Sequence, residues 1–595
     1  MWPFTSSFPA VHVHEVPKDA VFDFIVVGGG TAGCCLASRL SEDPNVTVLL
    51  LERGRVVDDW QARVPLLAAN PSRPGTPHVF LPCLPMQEGN GRSVTAWLGE
   101  GLGGATLINA LLYTRGISDY NRWKEMGRTG WGYDTDLEPY FVKSENSLSQ
   151  PASTFRGKKG LWINQTFPEE SVFEPFRRIN EAASSLGIPY SSDMNSPDSP
   201  ATCTALLDIA IDHNKRRHSV FKAFLDTADV RARKNLTICV ETVVTGIKCA
   251  PVERSAKPKA VGVYFGGSQT TKELSFARAT REVIICAGAI SSPQILMLSG
   301  LGPKNHLQSH GIRVVKDLPG VGSYLKDHLA VPLAYEVPPK DSVNVFRHGI
   351  LPVLLHVLKY ILLGTGLLSV TSQRTTIFVR TALLDERMEL SSVTPAEQDA
   401  RDPQNAPDIE IQPLPTHLSE NNKPSPMDDI GVFSILVTFL RPKSFGSIRL
   451  ASADPHTRPA IDVGFLTQAD DLPIVRKGVR FGLRLAQQMR ARGYPLGDLS
   501  VPKAEDDTSL DAFIRKNMST TYHYTSTCRM APEDDPQPGV VDDELRVHGV
   551  DGLRVADCSI FPDIVSVHTM APAVVVAEKC ADFVKKAHGM MQDYE

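Results

Sequence analysis

None of the ten cysteines forms a Cys-x-x-Cys pair, which argues against a zinc site and against a disulfide framework. Positive charge is not in excess either. The net charge is −5, so the basic surface that a nucleic-acid partner favours is missing. Aromatic residues make up 7% of the chain, too few to argue an aromatic cage from composition. No 20–50-residue repeat or low-complexity tract points to a solenoid or a long disordered region. The most apolar stretch, Ile350 to Val370, is interrupted by Pro352, His356, Lys359 and two glycines. It reads as a protein-covered helix and lid, with no stable membrane insertion. The first twenty residues lack the basic start and apolar core of a secretory signal peptide. The final MMQDYE matches no peroxisomal or ER-retention ending. A cytoplasmic protein with free thiols is expected, and the sequons at Asn45, Asn164, Asn235 and Asn517 are taken as coincidental. His12 and His14 alternate as on one face of a strand. Two histidines do not complete a metal's coordination sphere, so residues 1–17 read as a loose surface arm and no metal is expected.

What the chain does contain fits a soluble globular protein with a large core: 595 residues, 42% of them hydrophobic. The segment VFDFIVV is short, apolar and rich in β-branched residues, as in a buried parallel strand. GGGTAG and the helically spaced CCLASRLSED follow it, and then a second apolar run ends at Glu52. Strand, glycine turn, helix and strand make a βαβ unit. Gly28, Gly30 and Gly33 have the G-x-G-x-x-G spacing. That spacing gives a tight turn, close approach of the backbone to a pyrophosphate, and close helix-to-strand packing. The helix opening at Thr31 and Ala32 directs backbone N–H groups at phosphates. Glu52, nineteen residues past Gly33, stands where a carboxylate accepts hydrogen bonds from a ribose, with Arg53 beside it. Cys34 and Cys35 open the helix as small packing residues. This fingerprint alone does not separate NAD from FAD.

The later segments do. WLGEGLGGATLINALLYTRG (97–116), GAISSPQILMLSGLGP (288–303), LPGVGSYLKDHL (318–329), TTYHYTSTCRM and LRVADCSIFPDIVSVHTMAPAVVVAEKCAD resemble the glucose–methanol–choline (GMC) oxidoreductases along nearly the whole chain. The resemblance implies FAD. It places Trp97, Gly103, Gly104, Thr106, Asn109, Ala110, Leu111 and Leu112 near the flavin or its phosphates, Val244 near the adenine, and Asp557 in a flavin-contacting segment. Some relatives attach FAD through a histidine where this chain has Ile108, so non-covalent FAD is expected. Glu100 stands where the family usually has a basic residue, Tyr524 where it has proline, and Ser526 where it has glycine.

The same resemblance implies an α/β (α+β overall) fold. A Rossmann-like FAD-binding domain (18–150, 226–325 and 530–595) is interleaved with a substrate domain (151–225 and 326–529) built on an antiparallel sheet with covering helices. His523 and His568 match the two catalytic positions, and His328 reads as structural. The implied reaction oxidises the CH–OH group of a small hydrophobic alcohol, a metabolite in a tailoring step. His523 takes the hydroxyl proton, the flavin takes the hydride, and oxygen or another acceptor reoxidises the flavin. The alternatives are a non-oxidative flavoenzyme of the same fold (cyclase, lyase or decarboxylase) and a catalytically silent FAD-binding protein.

Overall fold

The computed structural model describes residues 8–68, 75–167, 173–252, 257–268, 274–417 and 426–590. Residues 1–7 of the expected arm and 591–595 of the last expected segment lie outside the described residues. The fold is mixed α/β, organised around two large sheets. In the first, the strand Ala20–Val27 lies between Val48–Leu51 and Ser275–Ile285, parallel to both. Ile25 therefore pairs with Leu49 on one side and Val283 on the other. Its last four residues are all buried, as expected of a strand covered on both faces. Leu236–Cys239 extends the sheet beyond Val48–Leu51 in parallel. On the far edge, Ser275–Ile285 pairs antiparallel with Lys259–Gly267 along its first part and parallel with Leu553–Val555 at its end. The predicted strand–turn–helix–strand unit forms as read, with a helix at Thr31–Leu40. A Cβ on Gly33 would lie 1.8 Å from the Gly28 carbonyl oxygen. Only glycine lets this helix sit so close to the turn.

The second sheet runs Gly497–Ser500, Leu329–Glu336, Val432–Phe439, Ile409–Leu414, Thr375–Val379, Cys203–Leu206 and Tyr190–Ser191, with Ser519–Thr520 also paired to Leu329–Glu336. Its pairings are antiparallel except the last, Tyr190–Ser191 with Cys203–Leu206. The amphipathic helix Asp471–Ala491 covers one face. A Cβ on its Gly478 would come within 2.7 Å of Ile409 Cδ1, so glycine sets the spacing of helix and sheet. Residues of both sheets share one continuous apolar core. A chain of buried charges holds the segment after the glycine-rich loop: Arg115 pairs with Glu145 at 2.9 Å, and Arg156 pairs with Glu145, Asp193 and Asp208. Because each buried charge has an opposite partner, the desolvation cost is offset.

Two expectations need correction. The described part of the N-terminal arm is docked, not loose. Val11 donates to the Ile238 carbonyl and accepts from Val240 N–H, and Phe8 meets Phe221 edge to face. The free edge of Leu236–Cys239 offers these backbone groups, and pairing satisfies them. The Ile350–Leu363 helix, in turn, is not protein-covered. Only one side, through Val357 and Tyr360, packs on Val64 and Leu368, and most of its leucines stand exposed.

Candidate active site

A cavity of about 1070 Å³ lies between the two sheets, large enough for a dinucleotide and a small substrate together. At one end are the glycine turn, Glu52 and Arg53; at the other are His523 and His568. Of the residues predicted to hold the cofactor, Gly28, Gly30, Thr31, Ala32, Glu52, Arg53, Trp97, Asn109, Ala110, Leu111, Leu112, Val244 and Asp557 line this cavity. Gly33, Gly103 and Thr106 do not; they support its wall from behind. Gly103 donates its N–H to the Gly29 carbonyl at 2.8 Å. Thr106 Oγ1 donates to the Gly103 carbonyl at 2.6 Å and accepts from Val220 N–H.

The turn end suits a dinucleotide on its own chemistry. A Cβ on Gly30 would meet nothing closer than 3.9 Å, so the missing side chain leaves open space above the start of the Thr31–Leu40 helix. The first N–H groups of that helix have no intrahelical acceptors. Glu52 is buried, and burial raises its pKa. Its Oε2 accepts from Gly29 N–H and its Oε1 from Gly54 N–H, both at 2.7 Å. Each oxygen keeps lone-pair capacity for a ribose hydroxyl. Glu100 proves to be one arm of a charge cluster: Arg458 lies 2.5 Å and Arg53 3.7 Å from its carboxylate. Arg458, which the sequence did not single out, thus supplies a cation to a loop whose own residue is acidic. Asp557 holds three donors in place, accepting from Gly288 N–H, Ser292 Oγ and Ser559 N–H.

At the other end the imidazoles form a chain. His328 Nε2 is 3.0 Å from the Val565 carbonyl, and His328 Nδ1 is 2.9 Å from His523 Nδ1. His523 Nε2 is 3.2 Å from His568 Nδ1, and His568 Nε2 is 3.1 Å from Glu410 Oε1. Hydrogen-bond direction assigns the protons. A carbonyl only accepts, so His328 carries hydrogen on Nε2. Burial holds His328 neutral, with a pKa near 3, so its Nδ1 must accept from His523 Nδ1–H. Burial first, then His568 and His328, push the His523 pKa well down. His523 is therefore neutral, with its Nε2 lone pair turned to His568. Burial opposes ionisation of Glu410, but its contact with His568, with help from Thr376 and Gln412, brings the pKa below the usual value. An ionised carboxylate only accepts, so His568 carries hydrogen on Nε2 and turns Nδ1 to His523 Nε2. The result is a neutral base whose Nε2 faces the imidazole that Glu410 orients.

The wall around His523 accounts for the local departures. Its own N–H is held by Asp327 Oδ1 at 2.8 Å. Burial raises the Asp327 carboxyl to about 7. Tyr524 is buried in the cavity wall and its hydroxyl accepts from Thr520 Oγ1. Ser526 has φ +70°, a conformation that favours glycine, which explains why glycine suits that position. Tyr522, also at positive φ, stacks on Trp97 with 5.1 Å between ring centroids. Glu410, His328 and Tyr522 were not assigned to the site from sequence. His328, read as structural, is the residue that holds the base.

Comparison with known proteins identifies the family. Family models described as GMC oxidoreductase match residues 22–330 and 442–577. The chain is 33% identical over 575 residues to an oxygen-dependent choline dehydrogenase of Chromohalobacter salexigens, covering 95% of each chain. It is 34% identical over 580 residues to another of Burkholderia mallei, covering 95% and 94%. Among solved structures, pyridoxine 4-oxidase from Mesorbium loti superposes with a TM-score of 0.79 at 26% identity, over 96% of this chain and 100% of that one. An FAD-dependent oxidoreductase from Chaetomium thermophilum does so with a TM-score of 0.81 at 26% identity, over the same shares. The chain belongs to the GMC oxidoreductase family. It is an FAD-dependent enzyme acting on CH–OH donors.

The Glu410–His568 pair yields a test. Glu410→Gln removes the charge that holds the Nε2–H of His568. Losing a charge-assisted hydrogen bond of about 1.5–3 kcal/mol should slow flavin reduction roughly 10–100-fold. FAD content should not change, because Glu410 does not line the cavity. Anaerobic rapid mixing of both proteins with the same alcohol reads the difference.

Proposed function

We propose that this enzyme oxidises a small, neutral, largely apolar alcohol to its carbonyl, with His523 as base and His568 as donor to the substrate oxygen. The observation that carries this reading is the geometry just described: the Nε2 of a neutral His523 lies 3.2 Å from Nδ1 of His568, whose other nitrogen is held by Glu410. An alcohol oxygen placed between them gives its proton to His523 while His568 stabilises the charge left behind. FAD, when bound, supplies the electron acceptor that takes the hydride from the carbinol carbon. Atoms balance: one proton goes to His523, one hydride leaves the carbon, and a carbonyl remains. Burial of His523 keeps it neutral and ready at physiological pH.

The cavity wall favours an apolar substrate over choline. Its carboxylates among the described residues are Glu52, Glu100 and Asp557, all at the cofactor end. The substrate end presents Pro332, Phe346, Leu414 and Leu436 with Gln412 and Thr371. Glu410 is committed to His568. A quaternary ammonium would find no carboxylate there to replace its hydration. The interleaved two-domain division, with oxygen or another acceptor closing the cycle in the cytoplasm, belongs to the same reading. It is supported by the first sheet drawing its strands from residues 20–51, 236–285 and 553–555, and by the second drawing from 190–206, 329–439 and 497–520. No helix of the described residues is long and apolar enough to cross a membrane. A panel of neutral alcohols and choline, assayed with oxygen and with a dye acceptor, tests the substrate class. Turnover of choline ahead of every neutral alcohol would refute it.

Ile108 beside Asn109 offers no nucleophile to the flavin ring, so the FAD is held without a covalent bond. Acid precipitation of the holoenzyme should leave the yellow colour in the supernatant. Colour retained in the washed pellet would contradict this.

A further inference from the structure

The Ile350–Leu363 helix is apolar around most of its circumference, a pattern ordinarily found in helices covered on all sides. Here Ile350, Leu351, Leu354, Leu355, Leu362 and Leu363 are between 49% and 76% exposed. A contiguous apolar surface of this kind marks an interaction site. Its charge surroundings indicate the partner. No Asp or Glu occurs between Asp341 and Asp385, although the chain as a whole is acidic. Exposed Arg347 precedes the helix, and exposed Lys359 lies on it. Lys215 and Arg216 adjoin its C-terminal end, where Tyr360 donates to the Lys215 carbonyl at 3.1 Å and the Lys215 side chain is the nearest neighbour of Gly364. Asp212, beside Lys215, accepts from the backbone N–H groups of Asn214 and Arg216.

Apolar residues flanked by cations complement an anionic lipid surface, where side chains enter the acyl boundary and lysine and arginine meet phosphates. A second copy fits less well. A two-fold contact brings the same patch against itself and would set these cations face to face. We propose that the helix docks the enzyme peripherally on an anionic phospholipid membrane, lying in the interface without crossing it. At fourteen residues it is too short to span. Phe346 and Arg347, just before the helix, line the active-site cavity. Docking therefore brings part of the cavity wall to the lipid, which suits an apolar substrate.

The test uses full-length holoenzyme sedimented with vesicles of equal parts phosphatidylcholine and phosphatidylserine, and with phosphatidylcholine alone. This readout is independent of any oxidation. The expected result is co-sedimentation with the anionic vesicles that weakens at high salt and falls roughly tenfold or more for the double variant Leu354→Glu, Leu362→Glu. Both positions face solvent, so the variant should keep its FAD and its melting temperature. Three results would overturn the proposal: no co-sedimentation with anionic vesicles, equal binding by the variant, or a concentration-dependent dimer that the variant abolishes.

Discussion

His523→Ala is expected to slow reduction of the bound flavin by about 10²–10⁴-fold while leaving FAD content unchanged, the usual contribution of a positioned general base. His523 is neutral, and its Nε2 faces the imidazole of His568 across the substrate end of the cavity. His328 has both nitrogens engaged, and the Nε2 of His568 is held by Glu410. His523→Asn should recover little, because an amide does not accept a proton near neutral pH. His568→Asn should retain more activity, because an amide N–H still reaches the substrate oxygen. The pH profile carries a second signature. Burial lowers the pKa of His523 from its ordinary 6.5, so the base stays unprotonated above that value. The reduction rate should be level through neutrality and fall only on the acid side of 6.5. An inflection above 6.5 would assign the base to another group.

Glu52→Ala should weaken FAD binding by roughly 10²–10³-fold. The substitution leaves two N–H groups without acceptors, those of Gly29 and Gly54, and each buried unsatisfied donor costs about 1–3 kcal/mol. It also removes the acceptor offered to the ribose. Glu52→Gln keeps one acceptor oxygen and should fall between the two. FAD retained after dilution and gel filtration, followed by its fluorescence, gives the order parent, Gln, Ala. Equal retention by the alanine variant would mean that Glu52 does not shape the cofactor end.

The βαβ unit was legible because period, glycine spacing and the distal acid are all local, and Gly33 shows why: its position admits no Cβ. His523 and His568 could be named from motif resemblance, although only the fold brings residues 45 apart in sequence to 3.2 Å. Glu410 was not legible. It sits in IEIQ, where alternation reads as one buried and one solvated face; here the second face is covered by His568 and Thr376. Arg458 was missed because its partner Glu100 lies 358 residues away. The Ile350–Leu363 helix was read as covered because hydropathy does not say which side of a helix meets protein. The arm was read as loose because an edge strand's unpaired backbone leaves no mark in its side chains.

The most direct test of the mechanism mixes holoenzyme anaerobically with a neutral primary alcohol, unlabelled and deuterated at the carbinol carbon, and follows the visible flavin band. Transfer of a hydride from that carbon predicts bleaching in a single turnover, slowed severalfold by deuterium, with aldehyde formed in an amount equal to the flavin reduced. A flavin that stays oxidised with every alcohol of the panel, while the protein converts one of them to a product of unchanged oxidation state, would contradict the account.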